Sequence, residues 1–264
     1  MRSVVKEFAA EVFDLQKILN LIKILQDDKS PQEKVIVILG ATSTGKSSLA
    51  IKLAEILQTE IISADSMAVY KNFDVGTAKP SFEELKKVKH HLIDILDAEE
   101  KFSVVEFVRR AEKIITELNQ QKKIPVIVGG TGLYIQALLE GYHFDAQKSH
   151  AKNFSATGKL NYNALVIGLT TNREKLYNRI DLRTKKMFDA GLVEEVQKLL
   201  SAGVPPDAQA MLGIGYKEVL EHLQGKLTLQ ETISKVAQDT RNFAKRQLTW
   251  FRRMNYIRWF TTEN

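Results

Sequence analysis

The chain has 264 residues, of which 44% are hydrophobic and 27% charged, and its formal net charge is +6 at pH 7. It contains no cysteine, which excludes disulfides, thiolate metal ligands and thiol nucleophiles and fits a protein of the cytoplasm. It also contains no run of about 18 apolar residues, so no membrane-spanning helix is predicted. The modest positive charge is compatible with a polyanionic partner.

The first 34 residues are predicted to form an amphipathic helix followed by a polar linker, ahead of a main domain over residues 35–264. The polar side of this helix carries both signs of charge, which favours packing on the domain or on a partner chain over a membrane surface. Its apolar residues recur at three- and four-residue steps, as on one helix face: Phe8, Val12, Leu15, Leu19, Ile22 and Leu25.

From residue 35 onward, short apolar runs alternate with helical patterns. A helix is predicted from about Lys46, and another over 103–121, where Ser103 and Glu106 have capping-box spacing. The chain after Asn172 is mainly helical in character. The alternation predicts an α/β fold, a P-loop NTPase-like parallel sheet flanked by helices, with a helical C-terminal part. The runs predicted as strands are 35–39, 60–63, 91–96, 124–130, 164–169 and 255–260.

The segment GATSTGKS, residues 40–47, matches G-x-x-x-x-G-K-[ST] between a predicted strand and a predicted helix. Its backbone N–H groups and the N-terminus of the following helix are suited to phosphate. Lys46 would reach the terminal phosphates, and Ser47 would be a Mg²⁺ ligand. The predicted phosphate-binding residues are Gly40, Ala41, Thr42, Ser43, Thr44, Gly45, Lys46 and Ser47.

The carboxylate expected near these phosphates is Asp65. A nucleotide hydrolase usually has an Asp at the end of a later strand, where it holds Mg²⁺. Here the strand at 124–130 ends in Gly-Gly-Thr-Gly, whereas the strand at 60–63 leads into Asp65. Asp65 could serve as a metal ligand or as a base, although an Asp at a strand end is often only a turn former.

Further blocks follow in a fixed order along the chain, and each alone is weakly specific. As an ordered set with GATSTGKS they resemble the tRNA dimethylallyltransferase (tRNA isopentenyltransferase) family from about Val35 to about Phe260. The blocks are ADSMAVY (64–70), VGTAKP (75–80), HHLID (90–94), FSVVEF (102–107), GGTGLYI (129–135), the series Arg179, Arg183, Met187, Gly191-Leu192 and Glu195, then IGYKE (214–218) and AKRQLTWFR (244–252).

The resemblance implies transfer of a dimethylallyl group from dimethylallyl diphosphate to the N6 amine of the adenosine 3′ of the tRNA anticodon. It implies that loop 40–47, with Lys46, holds the donor diphosphate. It implies that Asp65 is the general base and that Thr131 lies at the reacting centre. The partner is then the anticodon stem-loop of tRNA, bound by a monomer. The residues that match tRNA-contacting positions are Asp65, Ser66, Met67, Ala68 and Thr131.

Two basic groups are further candidates. Arg179 and Arg183 lie one helical turn apart and could clamp the diphosphate, or they could belong to a solvated basic face. On the predicted C-terminal helix, Arg241, Lys245 and Arg252 cluster on one side, which favours contact with RNA phosphates over a solvated face. The opposite, aromatic side is predicted to hold Phe243, Trp250, Phe251 and Met254.

The sequence departs from the family in two places. Ala68 stands where the family usually has Gln in D-S-M-Q-V-Y, and Ala cannot form a side-chain hydrogen bond. Only residues 141–163, which include no arginine, occupy the place of a helical insert with an Arg-rich segment that grips the anticodon stem-loop. Two alternatives therefore stay open: prenyl transfer to a free adenine nucleotide, and a small-molecule P-loop kinase or inactive nucleotide-binding protein.

Overall fold

The computed structural model describes residues 10–141 and 159–262. At its centre lies a seven-stranded sheet of order β1-β7-β6-β2-β5-β3-β4, in which every pairing is parallel, as predicted. The strands are β1 (Glu11–Val12), β2 (Lys34–Gly40), β3 (Ile61–Ser63), β4 (His90–His91), β5 (Val126–Gly129), β6 (Asn163–Thr170) and β7 (Arg258–Thr261).

Helices connect these strands, and most of the chain between β6 and β7 is helical. Among the described residues, no helix combines the length and apolar character needed to cross a bilayer. The helices are α1 (Leu15–Asp27), α2 (Lys46–Leu57), α3 (Phe82–Lys87), α4 (Val104–Gln120), α5 (Gly132–Glu140), α6 (Arg173–Asp189), α7 (Leu192–Ser201), α8 (Tyr216–Leu223) and α9 (Leu229–Phe251), with a 3₁₀ turn at Gln209–Leu212.

The sheet is buried on both faces, which explains why its central strand is a continuous apolar run. Successive side chains of a strand point to opposite faces. Val35 and Val37 of β2 join the hydrophobic cluster that contains α4 and α5. Ile36 and Ile38 join the other cluster, with α1 and α2. The phosphate-loop segment therefore leaves the sheet from a central strand that is buried on both faces.

Within the described residues, the predicted N-terminal helix is correct from residue 15 onward and wrong over residues 10–14. The carboxylate of Asp14 accepts hydrogen bonds from the backbone N–H groups of the first turn of α1 and so fixes its start. Before it, β1 pairs with β7 as the edge strand of the sheet and leaves Val12 67% exposed. Ile18 and Ile22 of α1 are buried against the sheet. Phe8 lies outside the described residues.

The strand predicted over 91–96 is also wrong beyond its first residue, since β4 covers only His90–His91. Leu92 and Asp94 have φ angles of 62° and 54°, in the left-handed region, and this breaks the extended ladder. Leu92 and Leu96 are nevertheless buried in the core. Burial in an irregular segment thus produced an apolar pattern that resembles a strand.

The capping box predicted at the start of α4 is only half formed. The Ser103 hydroxyl accepts a hydrogen bond from the Glu106 backbone N–H at 3.2 Å. The Glu106 carboxylate instead pairs with Arg109 and Arg110, and these contacts lower its pKa to about 2. The predicted loop at 141–163 falls mainly on residues 142–158, which lie outside the described ranges.

Candidate active site

Three loops meet at the carboxyl edge of the sheet, because β2, β5 and β3 are neighbours in it. They are residues 40–47 after β2, 64–67 after β3 and 130–131 after β5. Ligands of open parallel α/β sheets bind at this edge. The fold therefore brings together Lys46, Asp65 and Thr131.

The phosphate loop has the backbone geometry that its motif requires. Gly40 has a φ angle of 144°, and a Cβ there would lie 2.3 Å from the carbonyl oxygen of Leu169. Gly45 has a φ angle of 91° and precedes the first residue of α2. The side chains of Thr44 and Lys46 both donate to the carbonyl of Ala41, at 2.8 and 2.6 Å. The loop thus closes on itself and leads directly into a helix N-terminus.

The site lowers the pKa of Lys46 to about 7. Burial of the ammonium group is the main cause, and the nearby positive charge of Arg183 adds to it. The negative charge of Asp65 acts in the opposite direction. Burial likewise lowers the pKa of Arg183, again opposed by Asp65. The side chains of Lys46 and Arg183 therefore lie close together, and the carboxylate of Asp65 offsets part of the unfavourable effect on both.

Hydrogen bonds to backbone hold Asp65 and Thr131 in place. One carboxylate oxygen of Asp65, Oδ1, accepts from the Met67 N–H at 2.8 Å. The hydroxyl of Thr131 accepts from the Ser66 N–H at 3.2 Å. Thr131 occupies the N-cap position of α5, but its side chain does not cap that helix. Its hydroxyl instead joins the end of β5 to the loop that carries Asp65.

Gln247 of α9 also joins these loops, and the sequence reasoning missed it. Its Oε1 accepts from the Thr42 N–H at 2.8 Å, and its Nε2 donates to the Gly130 carbonyl at 3.0 Å. A Cβ on Gly130 would lie 2.1 Å from this Nε2, so the close approach requires glycine. The available signal was a polar residue on the buried side of α9, between Ala244 and Phe251.

Two cavities, of about 360 and 120 Å³, open at this edge and meet at Asp65 and Arg183. The smaller one contains Lys46 and Ser47 of the phosphate loop. The larger one contains Thr131 and apolar side chains. The residues that line both are Thr42, Asp65, Thr77, Gly130, Arg183 and Phe243.

The loop that carries Thr77 is held by Glu195 of α7, another residue whose role was not predicted. The Glu195 carboxylate accepts from the backbone N–H groups of Asp74, Val75 and Gly76 at 3.0, 2.8 and 3.2 Å. The hydroxyl of Tyr216 donates to it at 2.7 Å. Four donors on one carboxylate fix this wall of both cavities.

The two arginines of the predicted clamp are placed differently. Arg183 lines both cavities. Arg179 lines neither, and its guanidinium donates to the Thr262 hydroxyl at 3.2 Å, just after β7. One helical turn separates them, but α6 crosses the site so that its C-terminal half faces the cavities. Only Arg183 is therefore placed to contact a ligand between Lys46 and Asp65.

The remaining predicted contacts are divided between several places. Ser66 and Met67 line the larger cavity, whereas Ala68 lines the smaller one and is only 6% exposed. Arg241, Lys245 and Arg252 do cluster, but in a separate cleft on the other side of α9. Phe243 was predicted on the buried aromatic side and instead lines both active-site cavities.

The donors available for a metal ion are few. The hydroxyl of Ser47 and the carboxylate of Asp65 both belong to residues that line the smaller cavity. Within residues 10–141 and 159–262, no three His, Cys, Asp or Glu side chains are grouped as metal ligands. Sparse oxygen donors beside a phosphate site fit Mg²⁺, which commonly keeps waters and binds substrate phosphates.

Comparison with known proteins first shows the class of protein to which this chain is similar. The family model described as "IPP transferase" matches residues 68–157 and 143–254. The tRNA dimethylallyltransferase of Carboxydothermus hydrogenoformans is 41% identical, over 86% of this chain and 92% of that protein. The enzyme of the same name from Anoxybacillus flavithermus is 40% identical, over 86% of this chain and 90% of that protein.

Solved structures agree with this result. The tRNA isopentenylpyrophosphate transferase of Bacillus halodurans matches with a TM-score of 0.80 and 35% identity, over 88% of this chain and 91% of that chain. The corresponding protein of Staphylococcus epidermidis gives 0.77 and 34%, over 88% and 93%. The chain belongs to the tRNA dimethylallyltransferase family. The fold and the family indicated by the sequence are thereby confirmed.

Proposed function

We propose that the protein transfers a dimethylallyl group from dimethylallyl diphosphate to the N6 amine of the adenosine 3′ of the anticodon in tRNA. The observation that carries this proposal is the pair of cavities that meet at Asp65 and Arg183. One contains a phosphate loop and the other is open to an acceptor. A carboxylate at the junction lies where the bond between the two substrates would form.

The smaller cavity would hold the diphosphate of the donor. Its negative charge grows as the allylic carbon–oxygen bond breaks, and Lys46, Arg183 and the loop N–H groups would stabilise it. Ser43 Oγ is buried in the loop and has no hydrogen-bond partner among the described residues, a need that a phosphate oxygen would meet. Ser47 would hold Mg²⁺, which would supply further charge neutralisation to the leaving diphosphate.

The larger cavity would receive the adenine, with Ser66, Met67 and Thr131 in its wall. As the bond from N6 to the allylic carbon forms and diphosphate departs, the amine loses a proton. Asp65 would accept that proton as general base. Met67 N–H binds Oδ1 and fixes the carboxylate, so Oδ2 is the oxygen we assign to the proton. Ala68, in the smaller cavity, offers the substrates only a methyl group.

Transfer to tRNA would proceed without part of the usual RNA-binding surface. The alignment with the Carboxydothermus enzyme runs over 286 positions although it includes only 86% of this chain, so several tens of its positions have no counterpart here. The two matches to the family model overlap at residues 143–157, within the segment 141–163. We infer that residues 35–264 act as one catalytic unit after the 34-residue extension, as a monomer in the cytoplasm.

The proposal is tested by offering labelled dimethylallyl diphosphate and Mg²⁺ with an anticodon stem-loop RNA and with AMP in parallel. We expect prenylated adenosine in the RNA and little or none in AMP. Product from AMP alone would select the free-nucleotide alternative. Transfer to neither acceptor, together with tight ATP binding and no affinity for dimethylallyl diphosphate, would select the kinase-like or inactive alternative.

A further inference from the structure

One buried cation beside the active site takes no part in the transfer reaction as proposed. The side chain of Lys79 is 4% exposed, and residues 77–80 form a continuous part of the wall of the smaller cavity. An ammonium group that is removed from water needs acceptors for its N–H groups within the protein. The acceptors that Lys79 uses therefore show which parts of the chain it joins.

The ammonium group of Lys79 has acceptors in three segments of the chain. It donates to the carbonyl oxygen of Tyr70 at 2.6 Å and to Oδ1 of Asp74 at 2.8 Å. Its third contact is with Oδ1 of Asp94. A lysine ammonium has three N–H groups, and these contacts use all three. Lys79 is therefore placed as a link between segments and not as a ligand of the diphosphate.

Two of the linked segments lead to the predicted general base. Asp65 lies near the start of the segment that ends at Tyr70, whose carbonyl accepts from the ammonium group. Backbone N–H groups of residues 94–96 donate to the carbonyls of Ala68 and Val69, at distances of 2.8 to 3.2 Å. The lysine thus holds the base-carrying segment both directly and through the turn at 94–96.

The backbone on both sides of this ion pair has an uncommon conformation. Ala78, which precedes Lys79, has a φ angle of 47°, and Asp94 has one of 54°. Residues with a β-carbon adopt this left-handed region infrequently, and they keep it where the surrounding structure fixes it. The contact between Lys79 and Asp94 joins these two positions and is suited to fix both.

Stability of the fold gives only a weak reason for a lysine at this position. Both carboxylates have access to water, since the side chain of Asp74 is 63% exposed and that of Asp94 is 43% exposed. Each would therefore stay solvated without its partner. Apolar side chains of similar size often replace buried ion pairs at little cost in stability. An apolar side chain could not, however, keep the three segments in one fixed arrangement.

We propose that Lys79 is a positioning residue, which fixes the wall at residues 77–80 relative to Asp65. The proposal rests on the proposed function. Both the wall and Asp65 line the smaller cavity, so the donor would lie between them. A displacement of one relative to the other would move the allylic carbon away from the amine that attacks it. Lys79 would act through its contacts and not on the reacting atoms.

The test separates the link from the charge that forms it. Lys79→Met removes the ammonium group, and Lys79→Met/Asp94→Asn restores the net charge of the wild type without restoring the link. The control Lys71→Met breaks an exposed ion pair with Asp97 and lies outside the lining of both cavities. Transfer kinetics with an anticodon stem-loop RNA, pyrophosphate affinity by calorimetry, and amide hydrogen exchange without substrates are measured for all variants.

We expect kcat to fall about tenfold to a hundredfold in both Lys79 variants, since a misplacement of about 1 Å can have an effect of this size. The KM for RNA, and the pyrophosphate affinity of the double variant, should stay within about threefold of the wild type. Amide exchange should become faster at residues 64–70 and 74–80 in both Lys79 variants. Lys71→Met should match the wild type in every measurement.

Four results would overturn the proposal. Wild-type kcat in Lys79→Met would show that the link is dispensable, and recovery of kcat in the double variant would show that only charge matters. Pyrophosphate affinity about tenfold weaker in both variants would make Lys79 a ligand of the diphosphate. Loss of the folded state, or faster exchange throughout the protein, would assign Lys79 to stability alone.

The proposed function fails separately from the role of Lys79. If the wild type transfers no prenyl group to RNA while exchange rises at residues 64–70 and 74–80 in the Lys79 variants, the link stands and the function does not. If the wild type is active and exchange at residues 64–70 is the same in all variants, the function stands and Lys79 does not hold the base.

Discussion

The helices α6 and α9 line two sites of opposite construction. On the catalytic side, Gln247 is 5% exposed and both ends of its amide bind backbone of other loops. On the other side of α9, Arg173 and Lys245 line the separate cleft and are exposed. A reaction needs atoms fixed within fractions of an ångström, whereas attraction of a phosphate backbone needs only charge in the right region. Substitutions on the two sides should therefore fail in different ways.

The largest difference should separate the two arginines of α6. Arg183→Ala should weaken pyrophosphate binding about tenfold to a hundredfold, because a charge-assisted contact to the leaving group is lost. Arg179→Ala, which removes a contact with Thr262, should change it by less than about threefold. Calorimetry with pyrophosphate measures both. Equal effects of the two substitutions would mean that the position of Arg183 in the cavity wall does not make it the arginine that binds the diphosphate.

Gln247→Leu should show how much the two hydrogen bonds of the Gln247 amide stabilise the catalytic side. The Thr42 N–H and the Gly130 carbonyl would each lose a buried partner, at about 1–3 kcal/mol apiece. The free energy of unfolding, measured with urea, should fall by about 2 kcal/mol or more. Lys245→Ala, two residues earlier on α9 but in the cleft, should stay within about 0.5 kcal/mol of the wild type. A Gln247→Leu protein as stable as the wild type would contradict the expected difference between the two sides of α9.

Glu195→Gln tests how firmly the wall of both cavities must be held. An amide keeps one acceptor oxygen where the carboxylate presents two, so the N–H groups of 74–76 would be incompletely satisfied. We expect kcat to fall about tenfold with little change in RNA affinity. The matched variant Tyr216→Phe removes only one donor and should cost less. If RNA affinity falls as much as kcat does, the loop at residues 74–76 affects RNA binding as well as the catalytic step.

The lowered pKa of Lys46 predicts that a proton is taken up when diphosphate binds on the catalytic side. Its pKa of about 7 means that at pH 8 most of the free protein carries a neutral Lys46. A bound diphosphate favours the charged form, so binding should take up close to one proton. Calorimetry in two buffers of different ionisation enthalpy measures this uptake, and Lys46→Arg should abolish it. Uptake that persists in Lys46→Arg would assign the proton to another group.

The lowered pKa of Lys46 also makes the free energy of unfolding depend on pH. In the unfolded chain the lysine pKa is near 10.5, so between about pH 7 and 10.5 the unfolded state binds more protons at this residue than the folded state. The contribution of Lys46 to the free energy of unfolding therefore increases as pH rises through that window. The difference between wild type and Lys46→Met in urea unfolding, taken at pH 7 and pH 9, measures it.

The sequence was sufficient for the parts of the site that are local. The phosphate loop is one contiguous segment, and Asp65 and Thr131 each follow a buried strand directly. In a parallel sheet, strand ends of the same direction meet at one edge, so their convergence could be predicted without coordinates. Both faces of β2 are covered, and its unbroken apolar run showed this in advance.

The groups that hold the site together could not be predicted, because their partners are distant in the chain. Glu195 binds N–H groups 119 to 121 residues before it, and Gln247 binds one 205 residues before it. Nothing in a local pattern specifies such pairs. The N-terminal strand β1 was missed for a similar reason, since two residues form it only by pairing with β7.

The most direct test of the account is Asp65→Asn in the transfer assay with RNA. The amide preserves the size of the side chain and an acceptor oxygen for the Met67 N–H, but it cannot take a proton. We predict that kcat falls about 10²- to 10⁴-fold, the range for loss of a general base, while pyrophosphate still binds. Turnover close to that of the wild type would contradict the assignment of Asp65 as the base, and with it the central claim that the two cavities meet at the reacting centre.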